Sequence, residues 1–308
     1  FDPIDEIAAA QGEGVNFWLH VDAAWGGYVP TVFRNADGSM RRREDIAAEF
    51  RHFPSPRVYA ATSALSAADS VTVDPHKLGF VPYGAGALVV KDRRVVDLVQ
   101  QEAPYILSAQ TSHEDVQYRR LGRFILEGSK PGAMAAACYV NHRVLPLDSE
   151  HFGKIIGRSV QSCEILYDRL RSFSDELAPW VRVTAPFEPD CNVVCLAFNP
   201  KGNRSLRVAN EYGRKLADAM AVKPDRPVQL REFFGSSTTV ELSHLGRSEL
   251  QSIARTLDLS LIDADDTGLF LLRHTLMNPW LQASPGQGEP SYVEAYCHYI
   301  LKRVRTIG

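Results

Sequence analysis

The stretch Ser70-Val-Thr-Val-Asp-Pro-His-Lys77 decides the fold. Its opening residues are rich in β-branched side chains, the composition of a strand, and Pro75 cannot donate to a sheet ladder, so the strand ends at Asp74. A lysine stands three residues past that end, beside His76 and two residues before Gly79. An ammonium pressed against a buried strand must find a partner, lose its proton or become covalently modified. One reading makes Lys77 the amine that forms a Schiff base with an aldehyde cofactor. The other lets its chain snorkel to the surface from a loop. Taken alone, Lys77 favours the second, because lysines are mostly exposed.

A second strand end changes the weighing. Asn16-Phe-Trp-Leu-His-Val-Asp22 is a short apolar run closing on a carboxylate, which reads as a buried strand presenting Asp22 at its carboxyl end. Open α/β sheets bind ligands at that end. Lys77 occupies the equivalent end of the next recognisable strand. An amine to hold an aldehyde and a carboxylate to keep a pyridine nitrogen protonated are the two parts that a pyridoxal 5′-phosphate site requires. Together, Asp22 and Lys77 look like a cofactor clamp.

Around these strands the chain reads as an α/β domain with a largely parallel sheet. A helix is expected over 3–12, with Pro3 in its first turn. Gly26-Gly27 punctuates the segment after Asp22, a short helix fits 44–50, and Gly86-Ala-Leu-Val-Val-Lys91 is a third strand. The alanine-rich stretch 131–143 favours a closely packed helix. Leu145-Pro-Leu-Asp148 is a plausible junction, dividing the chain into 1–146 and 147–308. Beyond it Ile156, Val160, Cys163, Tyr167 and Leu170 recur at helical spacing, with one buried face. A strand over 192–198, helices over 205–220 and 247–257, a buried strand over 268–275 and a closing helix over 291–304 give a smaller α+β domain.

His20-Val-Asp-Ala-Ala-Trp25 and Asp74-Pro-His-Lys77 resemble motifs of the group II pyridoxal-phosphate-dependent decarboxylases, whose fold is aspartate-aminotransferase-like (fold type I). The resemblance continues through Lys77-Leu-Gly-Phe-Val-Pro-Tyr83-Gly-Ala-Gly86, Ile125-Leu-Glu-Gly-Ser-Lys-Pro-Gly132 and Leu272-Arg-His-Thr-Leu-Met-Asn-Pro279. The long interval from Asp22 to Lys77, with the Tyr83 segment, is most similar to the bacterial tyrosine decarboxylases. The resemblance implies decarboxylation of an L-amino acid, tyrosine or another aromatic, to the amine and CO2. It also implies Lys77 as the Schiff-base lysine, Asp22 at the pyridine nitrogen, Ala24 against one ring face and His76 at the phosphate or the bound aldehyde. Tyr83 would deliver the proton after CO2 leaves, and Ser129 would reach the phosphate of a neighbouring subunit in a dimer. Each has a plain structural alternative: His76 as a satisfied core residue, Tyr83 as a packed aromatic, and Ser129 as a helix N-cap before Pro131. Phe233-Phe-Gly-Ser-Ser-Thr-Thr239 and Arg273-His-Thr275 are candidate pocket linings. An acidic substrate, an aldehyde-forming outcome and a non-catalytic assembly subunit remain open alternatives.

The family's ring-stacking histidine and main phosphate loop lie well before the aspartate strand, whereas 21 residues precede Asp22 here. The chain is therefore expected to be a C-terminal part, working with an N-terminal half that is a separate chain or lies outside this sequence. Its uncovered strand edges and apolar faces would invite aggregation.

The bulk properties agree with an enzyme. At 308 residues with 45 % hydrophobic and 23 % charged residues, the chain can bury a sizeable core. A net charge of −3 gives no reason to expect nucleic acid or an acidic membrane as partner. Arg41-Arg42-Arg43 follows a turn and reads as a solvated loop. Five cysteines at irregular spacing are no disulfide framework, and Cys191 and Cys195 read as core residues of a strand rather than a metal pair. No apolar run approaches a membrane span, so the cytoplasm is the default location.

Overall fold

The computed structural model describes residues 17–99, 130–225, 227–260, 268–284 and 286–307. The chain divides into two compact units, one formed by 1–40 with 59–153 and the other by 41–58 with 154–308.

In the first unit, β1 (His20–Asp22), β2 (Ser70–Val73) and β3 (Ala87–Val90) form a sheet in that order. β1 and β2 run parallel, with Asp22 opposite Thr72. β2 and β3 run antiparallel, with Val73 opposite Ala87. The expected largely parallel sheet is thus mixed among the described strands. The reason is the connection: a parallel neighbour is usually reached through a crossover helix, whereas 74–86 forms no helix and folds into tight turns that return the chain beside β2. A 3₁₀ segment over Gly26–Phe33 buries Tyr28, Val29, Val32 and Phe33. It lies against one face of β2, so closely that a Cβ on Gly27 would stand 2.8 Å from the Val73 methyls. His20, Ser70 and Thr72 share the opposite face, where the His20 ring lies 2.7 Å from Ser70 Oγ and 3.2 Å from Thr72 Oγ1.

Helix α1 (Arg43–Ala47) and helix α2 (Pro56–Ala64) precede β2, and α3 (Ala133–Val144) follows β3. The arginine triplet runs into α1 and is paired with acids: Arg41 with Glu49, Arg42 with Asp45 and Arg43 with Glu44. The expected helix over 3–12 lies outside the described residues. Apolar side chains stand open on the first unit: Leu88 and Val89 of β3, and Tyr139, Val140 and Val144 of α3, are all exposed.

The second unit is a four-stranded antiparallel sheet in the order β4 (Val181–Thr184), β5 (Val193–Pro200), β7 (Gly268–Thr275) and β6 (Ser236–Glu241). Helices α4 (Phe152–Leu177), α5 (Leu206–Met220) and α7 (Tyr292–Ile307) build the larger core with it, through Leu166, Leu170, Phe173, Leu216, Leu272, Cys297 and Ile300. Helix α6 (Arg247–Leu257) covers a smaller cluster, with Ile253 and Leu257 against Ala197, Leu269 and Leu271. The period-two alternation of β7 produces this split, since Leu269 and Leu271 face one way and Leu272 the other. Cys191 lies just ahead of β5 rather than in it, and both it and Cys195 are free and partly buried. No described helix is long and apolar enough to cross a membrane.

Glu164 on α4 is 1 % exposed, yet it is well satisfied. Its carboxylate accepts backbone N–H groups from Arg51, His52 and Phe53 at 3.0, 2.8 and 2.8 Å. This clamp explains how 41–58, distant in sequence, becomes part of the second unit: three aligned donors compensate one buried charge.

Candidate active site

The parallel pairing of β1 and β2 brings the carboxyl ends of both strands to the same end of the sheet. Ala24 ties them together. Its N–H donates to Asp22 Oδ1 at 3.0 Å, and its carbonyl accepts the Asp74 N–H at 3.2 Å. Asp22 is exposed, and that bond falls on its Oδ1. Ala24 is half-buried at the centre of the link.

The loop bearing Lys77 is held by its own turns. Lys77 N–H donates to Asp74 O at 2.9 Å, Phe80 N–H to Lys77 O at 3.2 Å and Val81 N–H to Pro75 O at 3.1 Å. Leu78 and Val81 are buried beneath it. Phe80 adopts a left-handed φ of 54°, uncommon for a residue with a side chain. Gly79 is required by close approach: a Cβ there would lie 2.5 Å from Pro75 O and 2.6 Å from Tyr28 Cζ. Tyr28 is fixed in turn, its hydroxyl 2.9 Å from His142 Nε2 on α3. Burial pushes the Tyr28 phenol up to about 12, with Cys138 adding to the effect, so it stays neutral. Asn141, also on α3, donates to Gly79 O at 3.1 Å.

Lys77 keeps 34 % of its side chain exposed and pairs with Asp74, Nζ to Oδ2, at 2.7 Å. His76 Nδ1 is 2.7 Å from Ala85 O. A carbonyl only accepts, so Nδ1 carries the proton, and Nε2 faces Asp74 Oδ2 at 3.8 Å. The Tyr83 ring lies 4.5 Å from the His76 ring, centroid to centroid, and is 85 % exposed. The structure therefore gathers Lys77, His76 and Tyr83 on one loop and sets Asp22 and Ala24 beside the start of that loop. Ser129 lies outside the described residues.

The donor set fits a pyridoxal phosphate in kind. One amine suits the aldehyde, one exposed carboxylate suits the ring nitrogen, and both belong to the same sheet end. Residues to which the sequence assigned no part in the site are Asp74, Gly79, Tyr28, Asn141 and His142. Asp74 stood inside the decisive stretch, three residues before the lysine, and that spacing was the available signal. Nothing local marks Tyr28 or α3 as the support beneath Gly79.

In the second unit, the two candidate pocket stretches do come together. β6 and β7 pair with Ser236 opposite Arg273, and Phe233, Phe234, Arg273, His274, Tyr292 and Tyr296 line a cavity of about 290 Å³. His274 is buried, with Nδ1 3.2 Å from Val194 O and Nε2 bonded to the Tyr296 hydroxyl. Burial holds this imidazole down at about 4, partly offset by the Val194 contact.

Comparison with known proteins gives consistent matches. The family described as the pyridoxal-dependent decarboxylase conserved domain matches residues 1–198, and the one described as tyrosine decarboxylase, C-terminal, matches 166–304. An L-tyrosine decarboxylase of Enterococcus faecium is 34 % identical over 91 % of this chain and 47 % of its own length. One from Levilactobacillus brevis is 32 % identical over 91 % and 46 %. The chain thus spans about half the length of the curated relatives it matches. Among solved structures, the tryptophan decarboxylase of Catharanthus roseus in complex with L-tryptophan covers 96 % of this chain, and the match spans 46 % of that protein. It has a TM-score of 0.56 at 14 % identity, a likeness of fold.

Proposed function

The chain belongs to the pyridoxal-dependent decarboxylase family, and from that premise we propose that it is the C-terminal part of an L-amino-acid decarboxylase acting on tyrosine or another aromatic substrate. The observation that carries this reading is the shared sheet end: β1 and β2 run parallel, and Ala24 links the Asp22 carboxylate to the Asp74 backbone. When bound, pyridoxal 5′-phosphate supplies an electron-withdrawing ring that accommodates the electron pair left as CO2 departs. Lys77 would hold the aldehyde and Asp22 the ring nitrogen, with Ala24 against the ring face. His76 orients the loop through Ala85, and Tyr83, against His76 and open to solvent, would deliver the proton from its hydroxyl. Ser129 would reach the phosphate of the neighbouring subunit.

In this reading, residues 1–146 furnish the C-terminal half of the cofactor domain and 147–308 a small terminal domain. An N-terminal half, as a separate chain or as the remainder of one polypeptide, completes the site, and the complete unit dimerises. The open apolar side chains Leu88, Val89, Tyr139 and Val144 support a covering partner. Some relatives are named aspartate or tyrosine/aspartate decarboxylases. The match of 166–304 to the tyrosine decarboxylase C-terminal family favours the aromatic substrate.

The test uses the complete protein with pyridoxal 5′-phosphate, screened against L-tyrosine, other aromatic amino acids and L-aspartate. We expect CO2 and the aromatic amine in equal amounts, together with a visible absorbance band. Lys77→Ala should abolish both. Asp22→Asn should lower turnover at least about a hundredfold, the scale of losing one electrostatic contact to the reacting system. Undiminished CO2 release by Lys77→Ala would overturn the assignment, and aldehyde with ammonia in place of amine would overturn the outcome.

A further inference from the structure

We infer that Asp74 is the positioning partner of Lys77, its carboxylate holding the lysine ammonium whenever that amine is not bonded to an aldehyde. The inference rests on Lys77 being the aldehyde-binding lysine. The two residues are joined twice: Lys77 N–H donates to Asp74 O at 2.9 Å, and Lys77 Nζ meets Asp74 Oδ2 at 2.7 Å. Asp74 is itself anchored, because its N–H donates to Ala24 O at 3.2 Å and its side chain is only 17 % exposed.

Among the described residues His76 is a further neighbour of this carboxylate, with Nε2 at 3.8 Å from the same oxygen while its Nδ1–H is committed to Ala85. Asp22, on the neighbouring strand end, bonds to the Ala24 N–H instead. The two acids thus divide the work. Asp22 serves the ring nitrogen, and Asp74 serves the amine. A long, flexible ammonium would otherwise follow its preference for water and leave the site; a fixed carboxylate within ion-pair distance gives it a charge-compensated resting place on its own loop.

The pair can be read without turnover, by competitive acetylation of the complete protein with trace acetic anhydride before cofactor is added. Labelling of Lys77 is measured by mass spectrometry against the exposed Lys154 and Lys201. Asp74→Asn should raise Lys77 labelling about three- to fivefold, the scale of a partly exposed ion pair. Asp74→Glu, which keeps the charge, should stay within about twofold of the wild type on the same scale. Unchanged Lys154 and Lys201 report an intact fold. In the wild-type protein, raising salt to about 1 M should screen the pair and increase Lys77 labelling, with no substitution at all. Lys77 labelling indifferent to salt and to Asp74→Asn, or an Asp74→Glu protein as reactive as Asp74→Asn, would overturn the inference. Acetic anhydride reports the pair whether or not pyridoxal 5′-phosphate binds. Borohydride trapping of that cofactor on a different lysine would therefore sink the reading of Lys77 and leave the ion pair standing.

Discussion

Adding a single methyl group at Gly79 should damage the site more than its size suggests. The new Cβ would stand 2.5 Å from Pro75 O and 2.6 Å from Tyr28 Cζ, whereas ordinary contact begins at 3.4 Å. Relief needs about 0.9 Å of movement, and neither neighbour is free to give it. Pro75 O already accepts the Val81 N–H at 3.1 Å, and Tyr28 is buried, bonded to His142 and packed 5.4 Å from the Phe152 ring. The loop carrying Lys77 must move instead. Overpacking of this kind costs about 1–3 kcal/mol, and displacing a reacting group by about 1 Å can cost about a hundredfold in turnover. The control is Gly84→Ala in the same loop, where the added carbon would meet the flexible Met134 side chain, nearest at Cγ, 3.1 Å away. It should change stability by no more than about 0.5 kcal/mol. Both variants are assayed by thermal melting and by CO2 release from L-tyrosine in the complete protein. A Gly79→Ala protein with wild-type melting temperature and wild-type turnover would refute the packing argument.

Two further predictions concern the second unit. Glu164→Gln replaces one acceptor oxygen with an amide that confronts a backbone N–H, so it should destabilise by about 2–4 kcal/mol, or roughly 5–12 °C in melting temperature for a unit of this size. Amide exchange at Arg51, His52 and Phe53 should accelerate with it, and unaltered exchange there would remove Glu164 from its clamping role. His274, whose ordinary value is 6.5, is held at about 4 by burial. The unfolded chain therefore takes up a proton below about 6.5 that the folded chain refuses until about 4, so the stabilising contribution present above 6.5 is lost as the pH falls through this window. At pH 5 the loss should be about 2 kcal/mol. Urea unfolding at pH 7 and pH 5 should show that difference in the wild type and not in His274→Gln; equal pH dependence in both would contradict it.

The elements most legible in the sequence are those with strong local signals. Pro75 stops β2, and the structure places β2 at Ser70–Val73. The continuous apolar run 268–275 is β7, and the helical spacing over 247–257 is α6, each at the expected limits. The strands β4 and β6, by contrast, were missed. Both lie at the edges of their sheet. β6 is largely exposed Ser and Thr and lacks the apolar alternation by which strands are recognised, whereas β4, Val-Arg-Val-Thr, alternates but over four residues alone, too short a run to stand out. Helix α2 buries no residue and left no periodic signal.

By itself the sequence determined which chemistry is available: an amine after one strand, a carboxylate after another, and the punctuation that ends both strands. Tertiary structure decided how those groups are used. Pairing β1 with β2 in parallel set the two strand ends side by side, and folding back 74–86 made β3 antiparallel. Packing of Tyr28 and α3 beneath Gly79 fixed the lysine loop, and the Glu164 clamp drew 41–58 into the second unit. These are contacts between residues tens of positions apart. Local propensity is a property of neighbours along the chain, and it carries no record of which distant surface will satisfy a buried charge or press against a glycine.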